Sequence, residues 1–195
     1  IEIREKSSPT IKNCEVYNGS QGGILLTKEG GGSIVGCSIY GNVFSAIEIK
    51  HGSNPKVTSN SIFNGNENGI WIHREGKALI TENKIYGNKF AGIGISEGGE
   101  PVVKGNEIYQ GLSNGIKIQQ GGYGLIEANK IYSNKLAGIH AMDETTDVTV
   151  KFNKIYDGNK EGILVSKKAS ITITDNTIYN NYESGIHIKG SVLIE

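Results

Sequence analysis

Apolar and polar positions alternate along this chain in short segments that repeat at a fixed interval. A branched apolar residue followed by an aromatic residue recurs every 23 residues, with one step of 24 residues near the end. The pair occurs at Val16–Tyr17, Ile39–Tyr40, Ile62–Phe63, Ile85–Tyr86, Ile108–Tyr109, Ile131–Tyr132, Ile155–Tyr156 and Ile178–Tyr179. Eight copies in phase identify the chain as a structural repeat.

The spacing within each repeat is typical of strands. Apolar residues such as Ile70 and Ile72 lie two positions apart, which is the strand period and not the helix period. The apolar positions are mostly β-branched, as a pleated surface prefers. Because Gly and Asn divide each repeat into three short pieces, the pattern predicts three short strands in every repeat and excludes helices of ordinary length.

Stacking these repeats so that each strand bonds to its own copy gives an all-β fold, a right-handed parallel β-helix of eight coils of about 23 residues. We expect residues 1–195 to form a single domain of this kind. The chain opens at Ile1–Ile3 and closes at Val192–Ile194 inside the pattern, without the polar caps that solenoids need. We therefore expect it to be a fragment of a longer protein.

One polar column also keeps the interval. It consists of Cys14, Cys37, Asn60, Asn83, Asn106, Asn129, Asn153 and Asn176. The six Asn predict a buried ladder in which each amide donates to its neighbour, with Asn supplying a left-handed bend. Cys14 and Cys37 are expected to be reduced packing thiols, and a disulfide between stacked coils stays geometrically open.

A second regularity has twice the period. Two residues after the aromatic, Gly occupies the odd coils (Gly19, Gly65, Gly111, Gly158) and Asn occupies the even coils (Asn42, Asn88, Asn134, Asn181). The unit is therefore a pair of coils with two alternating turn chemistries. The aromatic column is repeated in every coil, which favours a stacked ladder that stabilises the solenoid over a platform for sugars.

Charge and composition exclude several classes of function. Lys plus Arg and Asp plus Glu both number 20, so the net charge is zero, which argues against binding to nucleic acid through many phosphate contacts. No apolar run is long enough to span a membrane. Two Cys do not make a disulfide framework.

The strand after each Gly-Ile pair carries outward residues that do not repeat, so stacking does not dictate them. They hold the single Trp and three of the four His. This pattern predicts a partner-binding face centred on an exposed Trp71 with a polar rim, comprising Glu48, Lys50, Trp71, His73, Lys117, His140 and His187. The alternative interpretation is a solvated face without a partner.

Catalytic and metal-binding chemistry has little support in the sequence. The longer seventh repeat contains Asp143, Glu144 and Asp147, a weak candidate for a cation site whose alternative is a solvated loop. The remaining acidic, Cys and His residues show no catalytic or metal-binding spacing. We therefore expect no cofactor, no metal and no enzymatic activity in this chain.

Three segments carry a resemblance to a known family. Residues 52–56 (Gly-Ser-Asn-Pro-Lys), 82–86 (Glu-Asn-Lys-Ile-Tyr) and 90–93 (Phe-Ala-Gly-Ile) resemble the repeat region of β-helix-containing F-box-only proteins, as does the alternation of coil types. The resemblance covers almost the whole chain. It implies a substrate-selecting region of a cullin-RING ubiquitin ligase in the cytoplasm or nucleus, although the F-box and the zinc finger of those proteins are absent. The same repeat class occurs in carbohydrate-binding proteins, sugar hydrolases and lyases.

Three functions remain open at this point. The leading expectation is a non-catalytic module that recognises a protein or peptide, possibly as the substrate-binding region of an F-box-type ligase subunit. The alternatives are a carbohydrate-binding or polysaccharide-cleaving β-helix and a rigid spacer. We expect a monomer with a protein or peptide partner, or with a glycan, and without nucleic-acid or membrane partners.

Overall fold

A computed structural model describes residues 1–189, and they form three parallel β-sheets that wind around a common axis. The described residues contain no helix, and so none that could span a membrane. The predicted end of the pattern at Val192–Ile194 lies outside the described residues.

Strands are numbered in chain order. Sheet A contains β1 (Glu2–Ile3), β4 (Ile24–Leu26), β7 (Ile47–Ile49), β10 (Ile70–Ile72), β13 (Ile93–Ile95), β16 (Ile116–Ile118), β19 (Ile139–Met142), β22 (Ile163–Ser166) and β25 (Ile186–Lys189). Sheet B contains β2 (Thr10–Lys12), β5 (Ser33–Val35), β8 (Lys56–Thr58), β11 (Lys77–Thr81), β14 (Glu100–Lys104), β17 (Tyr123–Glu127), β20 (Asp147–Lys151) and β23 (Ser170–Thr174). Sheet C contains β3 (Glu15–Tyr17), β6 (Ser38–Tyr40), β9 (Ser61–Phe63), β12 (Lys84–Tyr86), β15 (Glu107–Tyr109), β18 (Lys130–Tyr132), β21 (Lys154–Tyr156) and β24 (Thr177–Tyr179).

One coil runs through sheet B, sheet C and then sheet A, so β2–β4 form coil 1 and β23–β25 form coil 8. Every strand pairs in parallel with the same strand of the next coil, as in Ile70 opposite Ile93 and Ile72 opposite Ile95. This register confirms the predicted right-handed parallel β-helix of eight coils. Inward Ile, Val and Leu from all three sheets form one continuous core along the axis.

The predicted asparagine ladder is confirmed. At Asn83, both the backbone N–H and the side-chain amide donate to Asn106 Oδ1, at 2.9 and 3.0 Å, and the amide also donates to the carbonyl of Val57. The left-handed bend, however, lies one residue earlier, for example at Glu82 with φ 57°. The expectation that the ladder Asn itself supplies this bend is wrong. These positions take Asn because its amide joins three coils.

The two cysteines extend this ladder at its beginning. Cys37 Sγ accepts the backbone N–H of Cys14 at 3.5 Å, in the place that an Asn Oδ1 occupies further along. Both are free thiols, Cys14 exposed and Cys37 buried. The thiol therefore replaces part of the amide's hydrogen bonding in the first two coils.

The aromatic column is a continuous stack. Consecutive rings from Tyr17 to Tyr179 lie nearly parallel with centroids 4.8–5.1 Å apart. Since each ring contacts the next coil, the column stabilises the stacking of coils, as the sequence predicts.

The alternation of Gly and Asn also has a structural cause. In coils 2, 4 and 6 the Asn is buried. In all four even coils its Oδ1 accepts the backbone N–H of the Gly in the preceding coil, as Asn88 does from Gly65 at 3.0 Å. Its amide donates to a core-strand carbonyl in that same preceding coil, here Ile62 at 3.3 Å. The Asn of an even coil thus satisfies two backbone groups of the preceding odd coil, which explains why the unit is a pair.

Candidate functional site

The outward side of sheet A brings the predicted site residues into two neighbouring columns along the axis, with Lys50 and His73 in the second column. The residues follow the order of the strands in sheet A, in which each strand pairs with the next one from β7 through β10, β13, β16, β19 and β22 to β25. One column reads Glu48, Trp71, Gly94, Lys117, His140, Leu164 and His187 from coil 2 to coil 8. The predicted residues therefore share one face, but they belong to different local environments.

Because Gly94 has no side chain, it leaves a gap in this column, and the gap forms the floor of a cleft. Trp71 lies on one side, Lys117 on the other, and Phe90 from the turn between sheets C and A forms a flank. The cavity, cleft I, has a volume of about 420 Å³ and is also lined by Asn68 and by the carboxylate residue Glu67. A Cβ at Gly94 would lie 3.2 Å from Asn68 Oδ1 and 3.4 Å from the Trp71 ring, so a side chain here would narrow the cleft.

Trp71 is half-buried rather than fully exposed as predicted. One face of its indole stacks on the His73 imidazole, with centroids 3.8 Å apart and planes 2° from parallel. Its Nε1–H donates to the hydroxyl of Ser96 at 3.3 Å. These contacts fix the ring, so that it presents a rigid wall to cleft I.

Glu48 stands at the centre of a charged cluster beside Trp71. Its Oε1 accepts hydrogen bonds from Lys50 Nζ at 2.7 Å and from His73 Nε2 at 2.9 Å. The hydrogen bond from His73 is the main cause that lowers the pKa of Glu48 to about 2. The hydrogen bond and the positive charge of Lys50 add to it, and together they outweigh burial, which would raise the pKa. The carboxylate is therefore charged wherever the protein is folded near neutral pH.

His73 differs from its expected position at an exposed rim. It is only 2% exposed, because Trp71 covers one face of its ring. Its Nδ1 is buried without a hydrogen-bond partner in the described structure and lies 3.9 Å from Glu97 Oε2. His73 thus supports Trp71 from behind and does not contact a ligand in cleft I directly.

A second cleft, cleft II, lies further along the same face. It has a volume of about 450 Å³ and is lined by Asn114, Leu136, His140, Lys160, Glu161, Leu164, Glu183 and Lys189. His140 Nε2 lies 2.9 Å from the hydroxyl of Ser166. Burial, followed by the charge of Lys117, lowers the pKa of His140.

Glu161 is the buried carboxylate of cleft II. It contacts His187 Nδ1 at 3.3 Å and lies 3.9 Å from Lys189 Nζ. Burial would raise the pKa of Glu161, but hydrogen bonds from its own backbone N–H and from His187 outweigh burial and lower it. Cleft II therefore holds a carboxylate at its base and lysines at its edge.

Most of the cleft residues that were not predicted from the sequence lie in the turn just before a Gly-Ile pair, one or two residues ahead of it. They include Glu67, Asn68, Phe90, Asn114, Leu136, Lys160, Glu161 and Glu183. This turn folds beside the outward face of sheet A. The available signal was that these turn positions, like the outward strand positions, do not repeat from coil to coil.

The predicted cation loop is built differently from a metal site. The extra residue lies between β19 and β20, where Asp143 accepts the backbone N–H of Gln120 at 3.3 Å and pairs with Lys167 at 3.6 Å. Among residues 1–189, no three His, Cys, Asp or Glu side chains are gathered as metal ligands would be. Asp143 and Glu144 lie in the turn after β19, and Asp147 begins β20.

The comparisons with known proteins identify the family. A sequence profile described as "right handed beta helix region" matches residues 1–100 and 45–193. The chain belongs to this right-handed β-helix family. No curated protein matches the chain significantly.

Several solved β-helix structures resemble the chain at low sequence identity. The A-module of a mannuronan C-5 epimerase from Azotobacter vinelandii superposes with a TM-score of 0.78 at 15% identity, over 100% of this chain and 62% of its own. A periplasmic alginate epimerase gives 0.74 at 19% identity, over 95% and 51%. A pectate lyase gives 0.53 at 12% identity, over 97% and 68%.

These likenesses show the fold, and the chain spans less than two thirds of the two epimerase chains. The proteins they name act on polysaccharides. The expected link to F-box proteins does not appear among these comparisons.

Proposed function

We propose that this β-helix binds an acidic polysaccharide along the outward face of sheet A. The observation that carries the proposal is cleft I, in which Gly94 opens a floor between the rigid indole of Trp71, the ring of Phe90 and the ammonium of Lys117. An aromatic wall, an apolar flank and a cation within one shallow cavity suit a ligand that is apolar on one side and charged on another.

Sugar rings have this character. Their axial C–H groups form an apolar face that packs on aromatic side chains, and their edges carry hydroxyls that exchange hydrogen bonds with amides. Asn68 provides an amide at the edge of cleft I. The cleft therefore offers both kinds of contact at once.

Lys117 favours an acidic sugar over a neutral one. Within residues 1–189 no carboxylate lies within ion-pair distance of it, whereas Lys50 and Lys160 each pair with a Glu. Lys117 stands between cleft I and His140, and its charge contributes to the lowered pKa of His140. A uronate carboxylate placed here would supply the missing partner.

Two considerations support a glycan over the protein or peptide partner that the sequence favoured. The epimerases and the lyase of the same fold are named for alginate, mannuronan and pectate, which are polymers of uronic acids. In addition, His73 already covers one face of Trp71, so only the other face of the indole is open to a partner, which suits a sugar ring better than a protein interface. A role in an F-box-type ligase has no support in these observations.

The experiment is a calorimetric titration with oligomannuronates and oligogalacturonates, using neutral cello-oligosaccharides as the charge control. We expect Trp71→Ala and Lys117→Ala each to weaken uronate binding by roughly tenfold or more. Only the Lys117 variant should lose much of the salt dependence. Lys104→Ala on sheet B is the matched control. If it weakens binding as much as Lys117→Ala, or if no oligouronate binds, the proposal is wrong.

A further inference from the structure

The two clefts offer different charges to a ligand. In cleft I the ammonium of Lys117 has no carboxylate within ion-pair distance among residues 1–189. The carboxylate residue of the same cleft, Glu67, accepts the hydroxyl of Ser45 at 3.4 Å. The positive charge of Lys117 is therefore free to pair with an anionic ligand.

In cleft II each lysine already has a carboxylate partner. Lys160 pairs with Glu183, and Lys189 Nζ lies 3.9 Å from Glu161 Oε1. The side chain of Glu161 is only 7% exposed, and its Oε1 also lies 3.3 Å from His187 Nδ1. Neither lysine is thus left to pair with a uronate, and the two carboxylates would repel one.

Asn114 supplies an unpaired polar group to cleft II. The residue is only 5% exposed, lines the cleft, and its side-chain amide has no hydrogen-bond partner within residues 1–189. The unpaired side-chain atoms that are fully enclosed in this part of the chain belong to Ser53 and His73, so the amide of Asn114 keeps an opening. Because buried polar groups are normally hydrogen-bonded, an amide that opens to a cleft indicates a ligand that exchanges hydrogen bonds there.

Apolar side chains complete the wall of cleft II. Leu136 lines it from the turn before β19 and is 40% exposed, and Leu164 lines it from β22. The cleft therefore combines apolar side chains, an open amide and a buried carboxylate that accepts hydrogen bonds. A sugar ring without a charge matches this set, because it has an apolar face and hydroxyl groups that donate and accept.

We infer, resting on the proposed function, that cleft II is a subsite for an uncharged sugar of the same polysaccharide chain whose uronate lies in cleft I. Gly94 of cleft I lies in coil 4, and His140 and Leu164 of cleft II lie in coils 6 and 7. The separation is about 10–14 Å at the usual strand spacing. One extended sugar residue covers about one coil, so the two sugars are about two or three residues apart. The ligand is thus a mixed acidic polysaccharide and not a pure polyuronate.

The test compares three ligands on the unmodified protein by calorimetry. The probes are tetramannuronate and the two tetramers in which the carboxyl group of one terminal residue is reduced to a primary alcohol, which leaves a mannose at that end. One reduced tetramer should bind at least roughly tenfold more tightly than tetramannuronate, because its neutral end avoids the carboxylates of cleft II. The other should bind no more tightly than tetramannuronate, because its neutral end lies beside Lys117.

Variants assign this preference to cleft II. In Glu161→Gln, which keeps the shape and loses the charge, tetramannuronate should bind about as tightly as the favoured reduced tetramer. Asn114→Ala should lose most of the favoured tetramer's gain with an unchanged thermal midpoint, because the amide has no partner in the free protein. Glu144→Gln, exposed and outside both clefts, is the matched charge control and should keep the wild-type preference.

Two results overturn the inference in distinguishable ways. If oligomannuronates bind but neither reduced tetramer gains affinity, or the gain persists in Glu161→Gln, cleft II does not select an uncharged sugar and the proposed function stands. If oligomannuronates and oligogalacturonates of every length fail to bind, both are wrong.

Discussion

Two glycines in neighbouring coils illustrate how the inner and outer parts of this solenoid differ. Gly115 precedes a core strand, and a Cβ there would lie 2.5 Å from Ile131 Cγ2 and 2.6 Å from the carbonyl oxygen of Gly138. At Gly94, on the outward face of sheet A, the nearest atoms would be at 3.2–3.4 Å. Close packing of the next coil dictates the first glycine. The second is free of that constraint, and its consequence is a cleft.

The same contrast extends to the polar residues. The ladder Asn are repeated because each one bonds to its own copy, so a change in one coil affects two others. Outward residues such as Glu48 and Lys117 contact neighbours of other types, and they vary along the axis. Repetition therefore marks residues that hold the coils together, and variation marks the surface available to a ligand.

The largest expected effect is in the ladder. Asn106→Leu removes the acceptor of the Asn83 N–H and amide and the donor to Asn129, leaving buried polar groups unpaired at about 1–3 kcal/mol each. We expect a loss of several kcal/mol, measured by urea unfolding. Asn54→Ala, an exposed turn Asn, should cost far less. Equal losses would show that the ladder is not buried and cooperative.

The glycine pair provides the next test. Gly115→Ala forces a Cβ against backbone and should destabilise the protein by about 1–3 kcal/mol. Gly94→Ala needs shifts of only a few tenths of an ångström, so its melting temperature should stay close to that of the wild type. Uronate binding should show the opposite order, with Gly94→Ala the more damaging. The contrast between inner and outer glycines fails if both variants melt alike.

Acid should weaken the outer cluster specifically. The pKa of Glu48 is depressed in the folded state from 4.5 to about 2, so its contribution is present above pH 4.5 and is lost as the pH falls towards 2. The contribution is at most about 3 kcal/mol. The measurement is the free energy of unfolding in urea between pH 6 and 2. In Glu48→Gln this free energy should fall less steeply with decreasing pH than in the wild type. Glu144→Gln, an exposed turn variant, should retain the wild-type slope, and an unaltered slope in Glu48→Gln would contradict the assignment.

The smallest effect concerns the segment from Asp143 and Glu144, in the turn after β19, to Asp147 at the start of β20. Because Asp143 already bonds to Gln120 and Lys167, we expect EDTA to leave the thermal midpoint unchanged. Added Ca²⁺ in the millimolar range is the reverse control. A rise of several degrees with Ca²⁺, reversed by EDTA, would establish a cation site at this turn.

Periodicity was sufficient to predict the fold, because every column that repeats has one structural explanation. The ladder at Asn106, the ring stack and the pairing of coils follow from residue type and interval alone. The clefts were only partly predictable. Phe90, Asn114 and Glu161 lie in equivalent turns of three coils. The repeat interval alone does not predict which sheet face these turns adjoin. His73 is buried because it lies two residues after Trp71 on the same face of the chain, where the two rings stack. The sequence places the two residues on one face but does not predict that they stack on each other.

The pairing of turns by the even-coil Asn also makes the length of the molecule discrete. Removing coils 3 and 4 together would bring Gly19 and Asn42 of one pair next to Gly111 and Asn134 of another, with every donor and acceptor intact. Removing one even coil would set Gly against Gly and leave an N–H without its amide acceptor, whereas removing one odd coil would set Asn against Asn. We therefore expect deletion or duplication of two whole coils to be tolerated better than deletion or duplication of one, so that the length of the solenoid changes in steps of a pair.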